Sequence, residues 1–372
     1  MLSIFQRHFI CLNTIIVLFS TSSVFASGKY GDKISEKNKN YGIEAVKVGA
    51  NMDLFAASRN FGLENNQAEL KVREVELSLE AQIKPWLYGM IFLTKPSDEP
   101  FDVEEAAVLA DLGYGVRIKA GKYRNEFGLL NTIHEPERPQ ISLPLPVSEY
   151  LGEEQLREPS ITIGKKIEFG NSYRGGVSFA ILNGENEVVF NKAQSKDKGY
   201  SGKLYYGYES SEMAYQFGIS ALTGKNDAAG NLRSNLQAFD FRYMFKPNYA
   251  KKYDYSARFM LLGEALYNQR EIFANNINKS KGYWLVADYQ FIPTHHIGAG
   301  LESTEGIFDN AIKKDAYSMH YSWYYSSHGR LQLEARRLNT NNVDNGLEIM
   351  LQWNVVLGPH GENPLLQILN VE

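Results

Sequence analysis

The sequence predicts an all-β fold: a transmembrane antiparallel barrel of sixteen strands, with a long third loop folded into the lumen. Three observations carry this. The chain opens on an export segment and continues cysteine-free and rich in aromatics, with 23 Tyr and 20 Phe among 372 residues. Segments of about ten residues then alternate apolar and polar side chains, the length a tilted strand needs to cross a bilayer. Finally, long connections alternate with short ones, as in bacterial single-chain barrels.

Residues 1–26 have the build of a cleaved signal peptide, with Arg7, the apolar run "FICLNTIIVLF", and small residues Val24 and Ala26 before the cut. The run is short of the roughly 20 residues that a membrane-spanning helix needs. Cleavage removes Cys11, the only cysteine, so the exported chain has no disulfides. Residues 27–41 read as a leader, 42–357 as the barrel and 358–372 as a C-terminal tail. No later apolar run is long enough for a transmembrane helix. The formal net charge of −4 argues against nucleic acid as a partner, which calls for a clustered basic face.

The stretch "DAYSMHYSWYYSS" sets the strand pattern. Read with a period of two, Tyr317, Met319, Tyr321, Trp323 and Tyr325 share one face, and Ser318, His320, Ser322 and Tyr324 the other. "QAFDFRYMF", "GYWLVADYQF" and "GLEIMLQWNVV" repeat it. The reading places strands at about 42–55, 70–83, 86–94, 103–109, 115–123, 160–169, 173–183, 200–209, 213–223, 236–245, 254–266, 281–291, 295–304, 315–325, 329–338 and 345–357. Lys165 and Arg337 fall in the apolar phase of their strands, which implies either a bulge or a side chain snorkelling to the membrane rim. The aromatic faces are expected to meet outer-membrane lipid and the polar faces a watery interior.

The longest connection, Arg124 to Pro159, follows the fifth strand and has five prolines with many scattered Leu, Ile and Val. A segment this long is usually functional. Its apolar groups need a surface to bury against, which predicts packing on the inner wall. "GKYRNEFGLLNTIHEPERPQ" and "EYLGEEQLRE" within it, with "VEEAAV" before it and "LGPH" near the end, resemble a family of porin-like Gram-negative outer-membrane barrels related to the phosphate-selective porins. Some relatives carry the name of a zinc-regulated TonB-dependent outer membrane receptor. A 22-stranded barrel with a plug domain needs a longer chain, so that name is not expected to apply. The resemblance implies a passive channel for small polar solutes or anions, and a homotrimer.

With apolar side chains outward, the expected pore-lining set includes Arg117, Lys119, Tyr123, Arg242, Arg258, Asp288, Arg330, Glu334 and Arg336. Arg124, His134, Glu135, Glu137, Arg138, Glu149, Glu154 and Arg157 come from the constriction loop. Opposed charges across a constriction set up a transverse field that favours small polar solutes. Arg117, Lys119, Arg124 and Arg138 are the candidates for attracting anions, and mutual salt bridges bracing wall and loop are the competing reading. No cofactor, metal site or enzymatic activity is expected. Neighbouring His295 and His296 point to opposite faces of a strand, no phosphate-cradling "GxxxxGK[ST]" occurs, and no acidic partner can be assigned to Ser318, His320 and Ser322. The alternative function is a non-conducting barrel that binds ligands or serves structurally.

Overall fold

The structure, a computed structural model, describes residues 46–61, 64–96, 100–170, 172–190, 197–227, 232–245, 258–273, 276–326, 328–341 and 343–358. The expected signal peptide, leader and nearly all of the tail lie outside them.

The described chain forms one closed barrel of sixteen strands. They are β1 (Lys47–Phe61), β2 (Glu64–Lys84), β3 (Leu87–Pro96), β4 (Asp102–Asp111), β5 (Val116–Arg124), β6 (Arg157–Phe169), β7 (Tyr173–Leu182) and β8 (Gly199–Glu209), followed by β9 (Met213–Lys225), β10 (Arg233–Phe245), β11 (Arg258–Phe273), β12 (Asn276–Ile292), β13 (His295–Glu305), β14 (Lys313–Ser326), β15 (Gly329–Thr340) and β16 (Val343–Leu357). Each pairs antiparallel with its chain neighbours. The first closes on the last in a continuous register from Ala50 opposite Leu357 to Asn60 opposite Leu347. Closure leaves no strand edge, and an edge in hydrocarbon would cost several kcal/mol per unsatisfied backbone group.

Side-chain alternation produces the two faces. On β14, Tyr317 and Met319 are 57% and 64% exposed, while Ser318, His320 and Ser322 are buried towards the interior. A band of aromatics marks the end where β1 begins and β16 finishes: Tyr173, Tyr206, Tyr208 and Tyr215 stack beside the turns of β6–β9, and Trp323, Tyr325 and Trp353 cluster by the β14–β15 turn. Such belts sit at the headgroup level. Lys165 and Arg337 point outward; the register is unshifted on both sides of Lys165 and runs unbroken through Arg337, shifting only beyond Leu338 at the hairpin end. Snorkelling, not a bulge, accounts for both.

Two features of the sequence reading change. The first strand runs Lys47–Phe61, later than 42–55, because it stays paired with β2 as far as Phe61 opposite Glu64. Several strands likewise extend past the membrane-crossing length, so the outer connections at 62–63, 274–275 and 341–342 are tight, while the terminus-side connection at 246–257 is long. The strict long–short alternation therefore fails, although the two longest connections, 125–156 and 183–198, do share the outer end.

Two irregularities bear on the lumen. The register shifts between Phe92 and Leu93, which face Glu105 and Val103, so Glu104 is an extra residue and both glutamates are buried inside. A second shift, between Asp53 and Leu54, leaves Arg73 unpaired in the ladder, and its guanidinium reaches inward to Asp53.

Candidate constriction and lumen

The loop between β5 and β6 is built to fold back on itself. Buried Asn131 ties its two ends together, donating to the Asn125 and Leu156 carbonyls at 2.7 and 3.1 Å and accepting the Leu156 N–H at 2.7 Å. Gly128 takes a φ of 60°, and a Cβ there would run into the Glu264 carboxylate. Its N–H donates to Ser220 Oγ and its carbonyl accepts from Lys203 Nζ at 2.6 Å, which fixes the loop's start to β8 and β9. A short helix, α1 (Leu145–Leu151), follows prolines at its start and stops at Gly152, φ 80°.

The apolar residues of the loop do find a surface. Phe127, Leu130, Tyr150 and Leu151 pack inside the barrel with Leu182, Leu262 and Trp284 of the wall and with Phe190 of a second short helix, α2 (Glu187–Phe190). Fully burying each such side chain stabilises by about 1.5–3 kcal/mol. Two extended carboxylates from the opposite wall take the polar backbone of the same loop. Glu334 accepts the N–H groups of Ile141 (2.6 Å) and Ser142 (3.1 Å) together with the Ser142 hydroxyl, and Glu302 accepts the Leu145 N–H at 2.8 Å. Arg330 donates to the Arg138 carbonyl at 2.8 Å, and Gln332 to that of Pro139. Arg336 pairs with Glu302 at 2.7 Å.

A third set of contacts joins the loop to β1–β6. Arg124, at the end of β5, bonds Glu104 at 2.8 Å and Gln155; Arg157, at the start of β6, pairs with Glu104 at 2.7 Å and with Glu154. These two arginines belong to strands, since the connection proper spans 125–156. Arg138 donates to Gln155 and lies 3.4 Å from Glu135, which also meets Arg73. Burial would raise the Glu135 carboxyl, but Arg73, Arg138 and Arg124 outweigh it and hold it below the usual carboxylate range. Burial brings Arg138 down to about 10 despite Glu135, and it stays charged at neutral pH.

The remaining expected residues are scattered. Arg117 pairs with Asp111 beside the β4–β5 turn; buried Lys119 sits over the Tyr123 ring, whose hydroxyl meets Thr162. Arg242 donates to Gln216, and Arg258 makes no ion pair among the described residues. Glu149 bridges Lys314 and the Ile307 N–H, whereas Glu137 and Glu154 are exposed. Asp288 corrects one expectation. Its two oxygens face His296 (2.8 Å) and His320 (3.2 Å), so His320 does have an acidic partner, supplied from β12 across the intervening β13. The sequence reading did not anticipate Arg73, Glu104, Glu105, Asn131 or Glu302. The doublet in "VEEAAV" was the available signal, because two adjacent acids in a strand imply a bulge.

Comparison with known proteins locates this architecture. No protein-family model matches the chain. An uncharacterised protein of Aquifex aeolicus is 33% identical over 128 residues, covering 34% of this chain and 26% of that protein's length. Among solved structures, the anion-selective porin from Comamonas acidovorans aligns over 84% of this chain and 99% of its own, at a TM-score of 0.60 and 11% identity. This chain has the fold of the outer-membrane porins. The outer membrane channel DcaP of Acinetobacter baumannii covers 84% and 97% at 0.57 and 12% identity. OmpT of Vibrio cholerae, folded in vitro in a trimer form, covers 84% and 100% at 0.56 and 9% identity.

Proposed function

We propose that this protein is an outer-membrane channel that lets small polar or anionic solutes diffuse passively through a lumen narrowed by its third loop. The observation that carries the reading is the docking of residues 125–156 inside a closed barrel whose inner face is polar. A barrel of sixteen strands is too wide for wall side chains to fill, so the loop sets the passage. Support for anions comes from the bases on the inner face near the end where β1 begins and β16 finishes, Arg117, Arg242 and Arg258, with Lys119 above them. A homotrimer is in keeping with the trimer form of the V. cholerae protein. The wall outside β7–β14 also carries a hollow of about 1150 Å³ around Gly202, Ala221 and Ala265, a surface into which another barrel could pack.

One observation favours a second reading. The apolar packing of Phe127, Leu130 and Leu151 against the inner wall fills part of the lumen, as a barrel closed to solutes and used for binding would require. Reversal potential in a salt gradient across a planar bilayer tests the channel and its selectivity together. A potential of the sign for anion flow supports the proposal, and a cation-selective current removes the anion assignment. A folded protein that leaves the bilayer silent supports the second reading.

A further inference from the structure

No sequence motif announces a metal site, yet one is assembled where the loop meets β2 and β4. One ligand atom from each of Glu76, Glu104 and His134 lies within 4.8 Å of the other two, and all three residues are buried. The groups come from three separate segments: Glu76 from β2, Glu104 from the bulge in β4, and His134 from the loop.

Two further observations point to a ligand. The first is the divided use of Glu104, 3% exposed. Arg124 and Arg157 hold its Oε1 at 2.8 and 2.7 Å, while Oε2 receives no hydrogen bond from a nitrogen or hydroxyl among the described residues; the side chain also meets the carboxyl of Glu76, the other acid of the cluster. A buried acceptor left in that state costs about 1–3 kcal/mol, more for a charged group, unless something else satisfies it. The second is the setting of His134. Its Nδ1 lies 4.0 Å from Glu76 Oε2, and its Nε2 lies 3.3 Å from Oε1 of Glu105, a residue buried completely beside Glu104. Nε2 and the Glu105 carboxylate are close without being aligned for a hydrogen bond; a carboxylate placed behind one ring nitrogen is the outer partner that supports a metal-bound imidazole through the other.

We infer that Glu76, Glu104 and His134 bind a divalent first-row transition cation that fastens the third loop to the wall. One nitrogen and two carboxylate oxygens suit such a cation, with water completing the shell. Calcium and magnesium fit poorly, since they require six or more oxygens. Metal–ligand bonds of about 2.0–2.2 Å in a tetrahedral shell hold donors about 3.4 Å apart, so atoms now within 4.8 Å of one another must close by up to about 1.4 Å on binding. Glu105 is the positioning residue for His134. The cation would join β2, β4 and the loop at one point, so it would lock the constriction in the position described above. The inference rests on the docked loop of the proposed channel and not on conduction, so a silent bilayer would leave it standing.

The test uses the full exported chain folded in detergent and stripped with a chelator, with Co²⁺ as the probe and Zn²⁺ as competitor. The expected result is one Co²⁺ per chain with visible d–d bands, displaced by Zn²⁺ and not by Mg²⁺. His134→Ala and Glu104→Gln should each weaken binding at least a hundredfold, Glu105→Gln about tenfold, and His295→Ala, on the outer face, not at all. Retention of the wild-type stoichiometry and spectrum in both His134→Ala and Glu104→Gln would overturn the site. So would no stoichiometric binding by the wild type, which would leave a shared proton between the two glutamates. Should the ligand variants fail to fold, Cu²⁺ bound to the wild type decides: electron paramagnetic resonance must show coupling to one imidazole nitrogen, and its absence refutes the assignment.

Discussion

Replacing Glu334 with Ala probes how the loop is held. The side chain accepts two buried backbone N–H groups, from Ile141 and Ser142, and the Ser142 hydroxyl. Hydrogen bonds to a charged group contribute about 1.5–3 kcal/mol each. Water can enter the lumen and satisfy the abandoned donors in part, so the loss is placed near 3 kcal/mol rather than at the sum. At 1.4 kcal/mol per tenfold, that shifts the docking equilibrium of the loop roughly a hundredfold towards release. Two assays report it: limited chymotrypsin digestion, which should now cleave after Tyr150, buried in the docked loop, and single-channel conductance, which should rise as the loop leaves the lumen. Arg337→Ala, on the outer face of the same strand, is the control. If the loop of folded Glu334→Ala resists chymotrypsin as in the wild type and the protein conducts in the same unit steps, the carboxylate does not hold the loop.

Gly128→Ala should act at the other anchor, because a Cβ collides with Glu264 and the backbone is left-handed; chymotrypsin sensitivity of the loop should rise while heat-modifiable gel migration still reports a folded barrel. Acid should loosen the loop through Glu135. Its carboxyl is held below the usual range, so its contribution is present above the ordinary glutamate value of about 4.3 and is lost as pH falls through the lower folded value. Digestion with an acid-active protease should show that onset in the wild type, and in Glu135→Gln the pH-dependent component should shrink, with Glu334, Glu302 and Glu104 supplying what is left. Changing both Arg117 and Lys119 to Glu should move the reversal potential towards cations, and no movement would take both out of the permeation path.

The barrel was legible in the sequence because a strand's inside and outside are read locally, residue by residue. Tyr317 to Tyr325 alternate in "AYSMHYSWYY" whatever lies beside them, and lipid on one side with water on the other keeps that signal strong. Strand ends were less legible. Nothing in "AASRNF" marks where β1 leaves the membrane, because it stays paired with β2 beyond that point. The inward packing of the loop followed from its unplaced leucines, but its partners did not. Glu334 lies 193 residues from Ile141, and only the closed register brings them together. The same holds for Asp288 and His320, which meet across β13. The helices at Leu145–Leu151 and Glu187–Phe190 were missed because such short turns are stabilised by the surface they land on, not by their own periodicity.

Recording from single wild-type molecules in a planar bilayer addresses the water-filled, loop-narrowed passage most directly. The account predicts discrete ohmic steps that grow larger in Glu334→Ala. A correctly folded protein that inserts yet carries no current, with or without the Glu334 carboxylate, would contradict it.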